Sequence, residues 1–194
     1  MDADRGDSPS DEDLMRRLRD GDREALAPLM ERWEVPVKRF IFRMVGSTAD
    51  AEDLAQEVFV RVFTKCRTHR EGTRFSPWLF SIAANQAKNR LRWWKRRPVC
   101  SLDAWLDAGG EAADRSAAGA PASDTAVGRE QVATVAAAVQ ALPVNLRTAL
   151  VLFEYEDQSM AEIAAALGCS AKAVENRLHR ARQELRRVLA VPIA

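Results

Sequence analysis

Ser159–Arg187, SMAEIAAALGCSAKAVENRLHRARQELRR, reads as two helices with a stop between them. In the first half, Met160, Ile163, Ala164 and Leu167 recur at helical spacing and form an apolar stripe. Gly168 supplies the left-handed backbone that ends a helix, and Ser170 is placed to cap the next one. In the second half, Val174, Leu178, Ala181 and Leu185 share one face, while Lys172, Glu175, Asn176, His179, Arg180 and Gln183 share another. A short turn holding glycine, small residues at the crossing and a basic outer face together describe a helix-turn-helix. An ordinary helical hairpin with a solvated basic side would look similar, so the rest of the chain has to decide between them.

The fold class expected is all-α. From Asp11 to Arg97 the apolar residues keep a helical period, through Leu14, Leu18, Leu26, Leu29, Met30, Phe40, Ile41 and Met44. Pro28 lies near a possible helix start, and Pro36 is the proline positioned to interrupt a long helix. Ser47 and Asp50 fit a capping signal that opens STADAEDLAQEVFVRVFTK. β-Branched runs bounded by turns are scarce. Asp107–Gly128 is rich in Ala, Gly, Ser and Asp, has no period, and reads as a flexible linker. The helical pattern resumes at Arg129. The organisation expected is a disordered tail over 1–10, a helical domain over 11–97, an acidic linker over 98–128 and a helix-turn-helix domain over 129–190.

Composition excludes several classes. The 194 residues are 47% hydrophobic and 29% charged, which suits a globular protein. No apolar run approaches a membrane span, and the acidic start MDADRGDSPSDED is unlike a signal peptide, so a cytoplasmic protein without membrane insertion is expected. Cys66, Cys100 and Cys169 are odd in number and widely spaced, which is not a disulfide framework. Cys66 and His69 lack the second pair that a structural zinc needs, so neither a metal nor a cofactor is expected. The net charge of +1 conceals local bias: −6 over residues 1–60, +10 over 61–97, −4 over 98–128 and +1 over 129–194. A block of +10 interleaved with aromatic residues is a candidate nucleic-acid footprint.

AEDLAQEVFVRVF (Ala51–Phe63) resembles the core-polymerase-binding helix of the extracytoplasmic-function group of bacterial sigma factors. FSPWLFSIAANQAKNRLRWWKRR (Phe75–Arg97) resembles the segment with which that group melts promoters and reads the minus-ten element. The helix-turn-helix carrying NRLHRAR resembles the domain that reads the minus-thirty-five element. Three motifs in register, across nearly all of Asp11–Arg187, tie the helix-turn-helix to a function. The resemblance implies a transcription initiation factor with no catalytic residue, because strand separation is driven by binding.

The same resemblance implies the partners and the residues. Ala51, Leu54, Ala55, Val58 and Val62 form a stripe to bury, beside an acidic face of Asp50, Asp53, Gln56 and Glu57. That face is expected to dock on a coiled coil in the largest subunit of core RNA polymerase, where charge complementarity steers docking. Trp78, Leu79, Ile82 and Leu91 read as core, leaving Asn85, Lys88, Asn89 and Arg92 as a polar face along a DNA strand. The loop Lys65–Arg74, with Arg67 and Thr68, is expected to help read a flipped base of the minus-ten element. Trp93 and Trp94 either stack on exposed bases or pack against Pro98.

Minus-thirty-five reading is expected from Lys172, Glu175, Asn176, Arg177, His179, Arg180 and Arg182. Asn176 and Arg180 are positioned for base edges, and Arg177 and Arg182 for flanking phosphates. Many relatives carry a basic residue where Glu175 stands. A carboxylate there accepts from cytosine N4, so the element read should differ. The C-terminal domain should also touch the flap of the second-largest polymerase subunit, and an anti-sigma protein is a further partner the family commonly uses. The rival reading is a stand-alone DNA-binding regulator, which would need a strand-containing receiver that the N-terminal half does not suggest.

Overall fold

The computed structural model describes residues 9–96 and 126–189, and all regular structure among them is helical. The expected tail up to residue 8, the linker between 97 and 125, the packing of the tryptophans on Pro98, and Cys100 lie outside those residues. Eight α-helices are described: α1 (Asp11–Arg19), α2 (Leu26–Val45), α3 (Thr48–Lys65), α4 (Phe75–Arg96), α5 (Ala126–Ala141), α6 (Val144–Glu154), α7 (Met160–Leu167) and α8 (Ala171–Leu189). Single 3-10 turns at Arg23–Ala25 and Cys66–Thr68 precede α2 and follow α3.

Local chemistry sets most boundaries. Ser10 caps α1 and Ser47 caps α3, each by accepting a bond from the amide three residues on. α2 runs through Pro36 for 20 residues rather than breaking there. It stops at Gly46, whose φ of 79° returns its amide to the Phe42 carbonyl. α5 starts at Ala126, so the helix begins three residues before the expected Arg129.

Helices α1–α4 enclose a core centred on Phe40, Phe75 and Phe80, all but inaccessible to solvent. Trp33 meets Phe75 and Phe80 edge-on at 6.0 and 5.9 Å, and its indole N–H donates to Asp11 at 2.9 Å. Glu12 of α1 accepts the Phe75 amide at 3.1 Å, placing a carboxylate at the positive end of α4. Helices α5–α8 form the second domain around Leu152, Ile163, Val174 and Leu178. The two domains pack together: α5 and α6 lie on α2, and α7 lies on α4. Their buried side chains make one continuous apolar cluster.

Candidate nucleic-acid interface

The helix-turn-helix is built as its residues dictate. Ser159 and Glu162 form a reciprocal capping box at the start of α7: Ser159 Oγ accepts the Glu162 amide at 3.3 Å and the Glu162 carboxylate accepts the Ser159 amide at 2.8 Å. Partial burial raises the Glu162 carboxyl, but the Ser159 bonds and the Arg74 guanidinium outweigh it and hold the group below the usual range. Gly168, at φ 62°, ends α7, and Ser170 Oγ accepts the Ala173 amide at 3.2 Å to start α8. Ile163 and Ala164 are buried as expected and Leu167 is half-buried. Met160 corrects the expected stripe: it is 42% exposed, because it is the first residue of α7, at the end of the helix rather than within its packed turns.

On α8, Val174, Leu178 and Ala181 are buried and Leu185 is half-buried. Lys172, Glu175, Asn176, His179 and Arg180 are all exposed on one face. Lys172 and Glu175 pair at 2.9 Å, so the carboxylate on that face has a cation beside it. The two flanking arginines differ from that set. Arg177 is half-buried and donates to Cys169 Sγ at 3.4 Å. Arg182 turns toward α6, where it bonds Glu154 at 2.8 Å and lies over the Phe153 ring at 5.5 Å.

The basic segment is α4 with the loop before it. Asn85, Asn89 and Arg92 are exposed, and Arg92 bonds Asn89 across one turn. Lys88 is half-buried; burial and the neighbouring Arg177 and Arg92 cations pull it below the ordinary lysine range. Leu79 and Ile82 are buried, while Trp78, Leu91 and Trp94 are half-buried and pack on the core. Trp93 is 49% exposed.

Arg67 and Thr68 are exposed on the 3-10 turn, and Thr68 is tied to the Lys65 carbonyl at 2.8 Å. His69 is buried against Trp78, with ring centroids 5.1 Å apart. Beside the loop lies a cleft of about 110 Å³ lined by Glu12, Arg16, Arg19, His69, Glu71 and Thr73, among others. Arg67 and Thr68 do not line it. Glu71 and Thr73 were not singled out in the sequence. Their signal is Gly72, whose φ of 75° turns the loop there.

On α3 the stripe Ala51, Leu54, Ala55, Val58 and Val62 is buried, together with Phe59. Asp53, Gln56 and Glu57 are exposed and Asp50 is half-buried. Asp50 and Glu57 look toward α4: Arg90 bonds Asp50 and the buried Gln86 bonds Glu57. Half of the acidic face therefore also clamps α3 to α4.

Residues 29–97 match the family model of sigma-70 region 2, and residues 133–185 match that of sigma-70 region 4. The RNA polymerase sigma-H factor of Pseudomonas aeruginosa is 33% identical over 180 residues, covering 92% of this chain and 93% of that protein. The chain belongs to the sigma factors of RNA polymerase. The extracytoplasmic-function factor SigW of Bacillus subtilis is 31% identical over 179 residues, 90% of this chain and 94% of that one. Among solved structures, CnrH in complex with the cytosolic domain of CnrY superimposes with a TM-score of 0.69 at 25% identity, covering 94% of this sigma factor and 98% of CnrH. The sigma factor RpoE of Bartonella quintana, solved with the anti-sigma factor NepR, shares the fold with a TM-score of 0.64 at 22% identity, over 86% of this chain and 97% of that one. This sigma factor is therefore a transcription initiation factor of the extracytoplasmic-function group. No helix among its described residues is long and apolar enough to cross a membrane.

Proposed function

We propose that α3 docks core RNA polymerase, that α4 and the loop before it open and read the minus-ten element, and that α8 reads the minus-thirty-five element. The observation that carries this reading is the division of α8. Lys172, Glu175, Asn176, His179 and Arg180 are exposed along one face, and the opposite face is locked into a capped helix-turn-helix. Asn176 and Arg180 stand one turn apart and reach base edges; Arg177 and Arg182 flank them for phosphates.

On α3, Asp53, Gln56 and Glu57 present the exposed part of the docking face to the coiled coil of the largest subunit, with the half-buried Asp50 beside them. On α4, Asn85, Lys88, Asn89 and Arg92 follow the separated strand, and Arg67 and Thr68 stand at the loop that holds a flipped base. Melting draws only on binding energy. The domain over 129–190 also meets the flap of the second-largest subunit. An anti-sigma protein is a further partner, as it is for the neighbour RpoE, which was solved with the anti-sigma factor NepR. The factor works in the cytoplasm, where the polymerase is.

Run-off transcription tests the whole reading. The chain added to core polymerase should give initiation from a promoter library, and the selected promoters should share two elements at fixed spacing. Transcripts no different from core polymerase alone would refute it.

A further inference from the structure

Glu175 is a carboxylate on a face that has to approach phosphates. The outward side of α8 carries Lys172, Glu175, Asn176, His179 and Arg180, all exposed, and Glu175 is the acid among them. On DNA it meets charge of its own sign. Lys172 offsets that charge: its Nζ lies 2.9 Å from Glu175 Oε2, with the two side chains 72% and 55% exposed. The flanking Arg177 and Arg182 are engaged elsewhere, on Cys169 Sγ and on Glu154. As a device for stability, an exposed pair three residues apart contributes little, and α8 already has its Ser170 cap. The position of the pair is more informative. α8 begins at Ala171, so Lys172 and Glu175 fall within its first five residues. A helix-turn-helix turns that end of its recognition helix to the base edges.

The pair offers an acceptor and a donor side by side, one hydrogen-bond length apart. A C·G base pair offers the complement. Cytosine N4 donates to guanine O6 at about 2.9 Å, and both atoms line the major groove. Glu175 accepts from N4 while Lys172 donates to O6, and the ion pair between them stays intact. Adenine N6 and thymine O4 sit side by side in the same way, so the atoms that flank them decide. Guanine N7, next to O6, gives the lysine a second acceptor, and cytosine carries only a C–H beside N4. In A·T, adenine N7 repels the carboxylate and the thymine methyl crowds the lysine. Reversal to G·C sets the carboxylate against guanine O6 and N7.

We infer that Lys172 and Glu175 act together as the reader of one C·G base pair in the minus-thirty-five element, with its cytosine facing Glu175 and its guanine facing Lys172. The inference rests on the proposed assignment of α8 to that element and adds the base pair that the two side chains select.

The test uses the full chain bound to core polymerase, with binding measured to promoter duplexes randomised across the minus-thirty-five element. The wild type should prefer C·G at one position by about tenfold over the other base pairs. Glu175→Gln should move the preference at that position to A·T, because an amide pairs with adenine N6 and N7, and Glu175→Arg should move it to G·C, because a guanidinium pairs with guanine O6 and N7. Neither variant should bind the remaining sequences more weakly, since each removes a charge that phosphates repel. Lys172→Met should reduce the preference at the same position. Replacing the guanine there by 7-deazaguanine should weaken the wild type and leave Lys172→Met unchanged. A wild type that selects another base pair at the position the Glu175 variants alter, or a Lys172→Met chain that keeps the full preference, would overturn the inference. If both Glu175 variants select the same element as the wild type, the inference falls and the assignment of α8 stands. If the wild type selects no element, both fall.

Discussion

Glu156 shows how a single side chain can set the pH response of this protein. Burial raises its carboxyl to about 7 from an ordinary 4.5, against the opposing pull of Arg43 and Arg39, with Asp157 adding to the rise. The folded state therefore holds a proton that the unfolded chain has released. Glu156 contributes stability that is fully present below about pH 4.5 and lost as pH rises through about 7, an effect of at most about 3 kcal/mol. Urea denaturation at pH 5.5 and 8 should show the wild type weakening, and Glu156→Gln should remove that loss and be the more stable chain at pH 8. A wild type equally stable at both pH values would refute the raised carboxyl. At the same scale, Arg180→Ala should cost about 1–3 kcal/mol on the preferred minus-thirty-five duplex and flatten the preference at one base pair. Uniform weakening across sequence variants would make Arg180 a positioning residue. Arg182, by contrast, must leave Glu154 to reach a phosphate, so Arg182→Ala should change the salt slope by less than the full unit of a free contact.

At the scale of elements, α3 carries two jobs on one helix. Its apolar stripe was legible because period and burial coincide, and its capping serine was legible because the chemistry of the first turn is local. That Asp50 and Glu57 are held by Arg90 and Gln86 was not legible, because those partners lie 40 and 29 residues away and depend on how α3 and α4 cross. The consequence separates two substitutions that look equivalent in sequence. Asp53→Arg should abolish core-polymerase binding with the thermal midpoint unchanged. Glu57→Arg should weaken binding and also lower the midpoint, because it leaves the buried Gln86 without its acceptor, a loss of about 1–3 kcal/mol. Native-gel binding and thermal melts of the two variants check this; equal midpoints would mean that the Gln86 bond contributes nothing. Pro36 and Met160 give the same lesson about context. α2 runs through its proline because packing along the helix outweighs one missing bond, and Met160 stays exposed although its spacing is right.

At the scale of the whole molecule, the order of the helices and the helix-turn-helix were readable from period, caps and charge, whereas the seam between the domains was not. Arg147 carries no local signal: it stands among apolar residues of α6, and only the fold brings it to the Met44 carbonyl 103 residues away. What the sequence does contain is the length of the segment that joins the two domains. Between Arg96 and Ala126 there are 29 residues. Deleting residues 107–125 leaves ten, which span at most about 35 Å, against about 95 Å for the full 29. That deletion should abolish run-off transcription from promoters that need both elements. It removes no residue from α3 or α8, so binding to core polymerase and to an isolated minus-thirty-five duplex should persist. Restoring 19 residues of Gly/Ser sequence should restore transcription, since reach rather than side-chain chemistry is what the segment supplies. Transcription from two-element promoters by the deleted chain at wild-type rates would show that the domains need not separate, and failure of the Gly/Ser replacement would show that the native residues make contacts of their own.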